Sequence, residues 1–202
     1  MKLRSLIAGV VAVVLVCAVS TELVAAKFNR VMDIGKPAPV WKNLPGVDGK
    51  MHSLRELKKA KAVVVIFTCN HCPVAQAYEQ RLIKLANERS KQGVEFVAIS
   101  VSSYEADNLE AMKKRSADRK FPFAYLQDPT QQIGKKYGAL WTPSIFLLDA
   151  KRRVVYMGGV DDSMYPEKVE RRFLKDAIDA VLAGKTIDVK ETKPVGCPID
   201  YN

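Results

Sequence analysis

The chain alternates between uninterrupted apolar runs and segments in which apolar positions recur every three or four residues. The run 62–67 lacks polar alternation, which is typical of a strand covered on both faces of a sheet, and residues 94–101 are predicted as the next buried strand. Between them, apolar residues at helical spacing predict a helix of about five turns from Cys72 to Gly93: Val74, Tyr78, Leu82 and Leu85. A strand, a long helix and a strand indicate a parallel unit with a right-handed crossover. The first strand therefore directs its carboxyl end at Cys69, and we expect it in the middle of the sheet.

Weaker patterns surround this unit. Residues 36–57 mix turn formers with isolated apolar positions, and Asp48-Gly49 predicts a short hairpin leading to Ser53 as a helix cap. Helices are predicted over 105–119, with Leu109 and Met112 inward, and over 130–137, ending at Gly138. Residues 144–149 and 153–157 predict an antiparallel hairpin.

Pro166 is predicted to open a last helix, which ends at Gly184. Its inward face is expected to carry four apolar residues: Val169, Phe173, Ala177 and Val181. Residues 185–202 then form a tail that carries Cys197. The pattern as a whole indicates an α/β domain.

The amino terminus reads as an export signal. Lys2 and Arg4 precede an apolar run over 6–19, and small residues allow cleavage after Ala26. The run is shorter than the ~20 apolar residues of a membrane-spanning helix, so a cleaved signal is favoured over a retained anchor. We therefore predict a signal peptide over 1–26, a single domain over 27–184 and a tail over 185–202. The protein is expected in the periplasm or another extracytoplasmic compartment, with membrane contact only through an uncleaved amino terminus.

The 202 residues carry a formal net charge of +10. Removing residues 1–26 takes away two basic residues and one acidic residue, which leaves +9. The basic residues are scattered among acids and apolar positions, which indicates a solvated surface rather than a nucleic-acid interface.

The chemistry is expected at Cys69 and Cys72, which form a Cys-x-x-Cys motif at the start of the predicted helix. Two such thiols can close a small disulfide ring, and we expect free backbone N–H groups beside the first sulfur to stabilise its thiolate. Cys69 is then the nucleophile and Cys72 the thiol that resolves the mixed disulfide. A cationic His71 would lower the pKa of Cys69 and make the disulfide a stronger oxidant.

Further motifs occur in a fixed order around this one: Gly35-Lys-Pro-Ala-Pro39, Asp48-Gly49, Val64-Val-Ile-Phe-Thr-Cys-Asn-His-Cys-Pro73, Phe121-Pro122, Asp128, Tyr137-Gly138-Ala139, Thr142-Pro143 and Phe146-Leu-Leu-Asp149. With them, the chain from about Gly35 to Gly184 resembles the thioredoxin-like superfamily, specifically the exported redoxins grouped with alkyl hydroperoxide reductase and thiol-specific antioxidant proteins. The segment ending at Cys197 is similar to the tail of Cys-Asn-His-Cys redoxins.

The resemblance implies a thioredoxin-like fold, with a central mixed β-sheet flanked by helices and an amino-terminal β extension. It implies a thiol–disulfide oxidoreductase whose partners are protein dithiols or disulfides and an upstream redox protein. Pro143 would be the cis-proline that faces the disulfide, and Thr142 would lend backbone groups to the bound substrate. Two positions depart from thioredoxin. Val63 replaces a buried aspartate that assists deprotonation of the second cysteine, and Thr68 replaces the tryptophan before the first cysteine.

Two other functions use similar sequences. The motif of peroxiredoxin-type peroxidases is Pro-x-x-x-Thr-x-x-Cys, whereas here Thr68 directly precedes Cys69. Thioredoxin-like copper chaperones bind the metal with two thiolates and a histidine that follows them in the sequence, whereas His52 precedes the thiol pair. Neither a cofactor nor a metal is predicted.

Cys197 leaves three possibilities open. It can reduce or trap the Cys69–Cys72 pair as a third redox thiol, it can bridge two chains, or it can remain free.

Overall fold

A computed structural model of the protein describes residues 26–202, so the predicted signal segment lies outside the described residues except for Ala26. The strands are β1 (Leu44–Pro45), β2 (Met51–His52), β3 (Ala62–Thr68), β4 (Val94–Ser100), β5 (Ala124–Gln127), β6 (Trp141–Thr142), β7 (Ser144–Leu148), β8 (Val154–Gly158) and β9 (Cys197–Pro198). The α-helices are α1 (Pro73–Ser90), α2 (Leu109–Arg119), α3 (Gln132–Tyr137) and α4 (Phe173–Leu182).

Five strands form the central sheet in the order β5-β4-β3-β7-β8. β3 is parallel to β4 and antiparallel to β7, so the sheet is mixed and β3 lies at its centre, as the sequence predicted. β1 and β2 form the predicted hairpin, and β7 pairs antiparallel with β8. β5 was not predicted, because its four residues follow Phe121-Pro122 without a long apolar run. The central mixed sheet flanked by helices is confirmed.

Alternate residues of β3 enter two hydrophobic clusters, one on each face of the sheet. Val63, Val65 and Phe67 join the cluster that contains α3 and the amino-terminal segment. Val64 and Ile66 join the cluster formed with α1, α2 and α4. The strand is at most 1% exposed from Ala62 to Phe67, which explains why its sequence has no polar alternation.

Two predicted helices are shorter than expected. The segment predicted from 105 contains a 3-10 turn, Glu105–Asp107, and α2 starts only at Leu109, where the Asn108 side chain accepts the Ala111 N–H at 2.9 Å. Pro166 likewise opens a 3-10 turn, and the Asp162 carboxylate accepts the N–H groups of Glu170 and Arg171 before α4 begins.

The prediction of the inward face of the last helix is therefore partly wrong. Its buried residues are Leu174, Ala177 and Ile178, whereas Val169, Phe173 and Val181 are only half-buried. The shift follows from the later start of α4, which turns a different stripe toward the sheet.

The predicted tail is folded back onto the domain. β9 pairs antiparallel with β6, and the Met157 N–H donates to the Lys190 carbonyl at 3.1 Å. Among residues 26–202, no helix has the length and apolar character required to cross a membrane.

Candidate active site

The two motif cysteines lie where the central strand passes into α1. β3 ends at Thr68, and Cys72 is the N-cap of α1, with Pro73 at the first helical position, where its missing N–H costs nothing. The Cys72 Sγ accepts the Ala75 N–H at 3.3 Å. Both cysteines are buried, Cys69 to 5% exposure and Cys72 completely, and with Cys197 they are free thiols in the described part of the chain.

Thr142 contacts both sulfurs. Its hydroxyl lies 3.5 Å from the Cys69 Sγ, and its carbonyl accepts the Cys72 S–H at 3.2 Å. The peptide bond between Thr142 and Pro143 is cis, the isomer that the resemblance implied. The fold thus brings together all four residues that the sequence analysis assigned to the thiol pair and the substrate edge.

Asp107 organises the loop between the two cysteines. Its side chain is fully buried, and Oδ1 accepts the N–H groups of Asn70 at 2.5 Å and His71 at 3.2 Å. Oδ2 accepts the Ser102 hydroxyl at 2.6 Å and also bonds to His71 Nδ1. Because these donors converge on one carboxylate, Asp107 fixes both the loop backbone and the imidazole.

The backbone N–H groups near the motif have different acceptors. The Cys72 N–H bonds to the Cys69 sulfur and lowers its pKa. The N–H groups of Asn70 and His71 bond to Asp107, and the N–H of Ala75 bonds to the Cys72 sulfur. Sequence reasoning found no role for Asp107, since it lies 36 residues after His71 in a turn that the fold alone brings to the motif. Its position beside Asn108, a helix cap, gave no signal of its own.

His71 lies between Asp107 and Cys69. Its Nε2 is 4.0 Å from the Cys69 Sγ, and its ring packs edge-on against Tyr104 with centroids 5.0 Å apart. The side chain is 39% exposed, so one part of the ring faces solvent. Cys69, His71 and Asp107 therefore form a thiol–imidazole–carboxylate series, the order in which a base is oriented by a third group.

The two motif thiols ionise as a coupled pair. The hydrogen bond between their sulfurs lowers the pKa of Cys72 to about 4 and, together with burial, raises the pKa of Cys69, so one proton leaves the pair well before the other. The negative charge of Asp107 also raises the pKa of Cys69, whereas the Thr142 hydroxyl lowers it. When the proton that the pair retains is on Cys72, the Thr142 carbonyl accepts it at 3.2 Å.

Access to the pair runs through a cleft at Cys69. The cleft is lined by Cys69 and His71, by Tyr104 and Thr142, and by the tail residues 198–200. Cys72 does not line it. Cys69 is therefore the sulfur that an incoming molecule meets first.

Val63 and His52 lie apart from this chemistry. Val63 is fully buried in the core, so no carboxylate occupies the position of the thioredoxin aspartate. His52 bonds to Asp48 at 3.0 Å and to Glu56 at 3.4 Å.

Within residues 26–202, the one group of potential metal ligands is Cys69, His71 and Asp107, with ligand atoms within 4.8 Å of one another. The two Asp107 oxygens are already occupied by four donors, so a metal would have to displace hydrogen bonds that hold the loop.

A central mixed sheet, a Cys-x-x-Cys pair capping the following helix and a cis-proline beside it define a thioredoxin-like protein. The Redoxin family model matches residues 33–171, well over half of the chain, and the chain belongs to this family. An uncharacterized conserved protein of Geobacillus kaustophilus is 34% identical, with a TM-score of 0.80 over 86% of this chain and 95% of that one.

More distant structures share the fold. A thiol:disulfide interchange protein of the thioredoxin family from Chlorobium tepidum is 20% identical, with a TM-score of 0.59 over 73% of this chain and 97% of that one. The peroxidoxin BcpB of Mycobacterium tuberculosis is also 20% identical, with a TM-score of 0.57 over 75% of this chain and 95% of that one. No curated protein matches the chain. The fold is thus shared by a thiol:disulfide interchange protein and a peroxidoxin.

Proposed function

We propose that the protein is a thiol–disulfide oxidoreductase that acts on protein dithiols and disulfides through Cys69 and Cys72. The observation that carries this proposal is the contact of Thr142 with both sulfurs, through its hydroxyl to Cys69 and its carbonyl to Cys72, directly before the cis peptide bond. This arrangement supports the proposal because Thr142, the proposed substrate-binding residue, contacts both thiols.

In the reducing direction, the Cys69 thiolate attacks one sulfur of a substrate disulfide, the substrate S–S bond breaks, and the leaving sulfur takes up a proton. Cys72 then loses its proton and attacks the Cys69 sulfur of the mixed disulfide. The second substrate thiol leaves, and the Cys69–Cys72 disulfide forms. The oxidising direction is the same sequence reversed.

His71 and Asp107 supply the proton transfer in this proposal. The Nε2 of His71 is 4.0 Å from the Cys69 Sγ, and Asp107 holds the opposite ring nitrogen. An imidazole in this position donates a proton to the leaving sulfur and accepts one in the reverse step.

The proposal includes export, on the basis of the basic and apolar amino terminus. Cleavage after Ala26 would give a mature protein that begins at Lys27, in a compartment where disulfide exchange has substrates. Amino-terminal sequencing of the protein from cells tests this point: a mature chain that begins at Lys27 is expected, and full-length chains confined to the cytoplasm would contradict it.

Insulin reduction tests the catalytic pair. The parent protein with reduced glutathione should reduce insulin faster than glutathione alone, and Cys69→Ser should abolish the difference. Cys72→Ser should instead accumulate a mixed disulfide with insulin at Cys69. Fast oxidation of Cys69 by hydrogen peroxide in stopped flow, with no insulin reduction, would refute the proposal and favour a peroxidase.

A further inference from the structure

The tail occupies the edge of the site that the proposed function assigns to substrate. β9 runs antiparallel to β6, with Cys197 opposite Thr142 and Pro198 opposite Trp141. The Ile199 N–H continues this pairing by donating to the Leu140 carbonyl at 2.9 Å. A strand of the chain itself therefore takes the place in which an extended substrate peptide would pair with β6.

The tail backbone fits closely against that edge. A side chain at Gly196 would bring its Cβ to 2.6 Å from the Thr142 carbonyl carbon, a separation that Cβ atoms essentially never show. Only glycine allows the approach. Substitution of Gly196 is thus a means of displacing the strand without removing Cys197.

Contacts after the strand hold the tail in place. The Tyr201 hydroxyl donates to the Ala139 carbonyl at 2.5 Å. The buried amide of Gln131 donates to the Asp200 carbonyl at 2.7 Å and accepts the Asn202 N–H at 2.9 Å. The tail is therefore anchored after Pro198 as well as by the β6–β9 pairing, and Cys197 is kept near the motif.

The Cys197 side chain faces the thiol pair. It packs against the cluster formed by Cys69, Cys72 and Ala75. Burial, together with the neighbouring Cys72 thiol, raises the pKa of Cys197 to about 11. Cys72 thus has one cysteine neighbour in the motif and another in the tail.

We propose that Cys197 is a third redox thiol that exchanges with the Cys69–Cys72 disulfide at Cys72 while the tail strand lies on β6. This inference rests on the proposed function. The Cys197 thiolate attacks the Cys72 sulfur, the Cys69–Cys72 bond breaks, and Cys69 leaves as a thiolate. The proton that Cys197 loses is balanced by the one that Cys69 takes up, and the number of disulfides stays the same. The product is an oxidised protein that still presents a free Cys69 at the cleft.

Tryptic mapping without reductant distinguishes the two disulfides. Cys69 and Cys72 share the peptide 62–81, whereas Cys197 lies in the peptide 191–202, because trypsin does not cleave before Pro194. In Cys69→Ser treated with oxidised glutathione, we expect the two peptides to become linked through Cys72 and Cys197. Cys72→Ser, which keeps Cys69 and Cys197, is the matched control and should form the linked pair at least tenfold more slowly.

Gly196→Ala tests whether the strand is required. Combined with Cys69→Ser, it should slow formation of the linked peptides at least tenfold, although all the reacting thiols remain. The inference is overturned if Cys69→Ser leaves Cys72 only as a glutathione adduct, or if Gly196→Ala leaves the linking rate unchanged.

The proposed function is tested separately in Cys197→Ser. This variant should form the disulfide within peptide 62–81 under the same conditions. If it does so while Cys69→Ser forms no link, the inference about Cys197 fails and the proposed function stands. If Cys197→Ser forms no disulfide, the proposed function fails.

Discussion

Asp107→Asn tests how the active-site loop is held. The amide oxygen can replace Oδ1 toward the N–H groups of Asn70 and His71, but the NH2 group must take the place of Oδ2. The Ser102 hydroxyl and His71 Nδ1 would have to accept from this NH2 group, so two bonds to a charged carboxylate are lost. Hydrogen bonds to a charged group contribute about 1.5–3 kcal/mol each. Because Ser102 and His71 are partly exposed and can turn to water, the lower value applies to each, and the expected loss is about 3 kcal/mol.

Urea unfolding of the reduced protein measures this loss. With a slope of about 1–3 kcal/mol per molar urea, the midpoint should fall by about 1 M or more. Asp118→Asn is the matched control, because Asp118 is an exposed carboxylate on α2, and it should change stability by less than about 0.5 kcal/mol. An Asp107→Asn midpoint equal to that of Asp118→Asn would refute the role given to this carboxylate.

A double-mutant cycle isolates the pair of Asp107 and His71. Asp107→Asn and His71→Gln should be non-additive in the free energy of unfolding by at least about 0.5 kcal/mol, the range for residues in direct contact. Additive effects would mean that Asp107 does not hold the imidazole in solution.

Three further outcomes follow from the site. Thr142→Val removes the hydroxyl that lowers the pKa of Cys69, so alkylation of Cys69 near neutral pH should slow; an unchanged rate would exclude this contact. Folding raises the pKa of Cys197 from 9.0 to about 11. Its contribution to the stability of the reduced protein is therefore complete below pH 9 and is lost as the pH rises toward 11, because between these values the unfolded thiol loses its proton and the folded one keeps it. The stability of the parent relative to Cys197→Ser should therefore fall between pH 9 and 11, and a constant difference would contradict the environment assigned to Cys197. The same raised pKa predicts that formation of the Cys72–Cys197 link in Cys69→Ser speeds up between pH 7 and 9, and a flat rate would show that the Cys197 thiolate is not the attacking group.

Local pattern was sufficient for the centre of the fold. β3 is a continuous β-branched and apolar run, which is typical of a strand covered on both faces, and β4 is apolar except for Glu95 and Ser100. The helical spacing between the two strands indicates a parallel crossover. The start of α4 could not be predicted from the local sequence pattern, because Asp162 holds the preceding backbone out of the helix through hydrogen bonds to residues eight and nine positions away. β5 is too short to show a period.

The residues of the candidate site likewise fall into those that local sequence predicts and those that it does not. Cys69, Cys72 and His71 lie within four positions of one another, so their proximity could be predicted from spacing alone. Asp107 and the β6–β9 pairing depend on contacts 36 and 55 residues apart, and no local pattern encodes them. The resemblance placed Thr142 and Pro143 at the site, but it gave no indication that the tail would lie on the same edge.

The most direct test of a redox-active Cys69–Cys72 pair is a glutathione redox titration of Cys197→Ser, read by mass after acid quenching and alkylation. The account predicts a reversible two-electron transition confined to peptide 62–81. Its midpoint should be more oxidising than the ~−270 mV of thioredoxin. Cys69 and Cys72 that remain alkylated across the whole range of glutathione potentials would contradict the account.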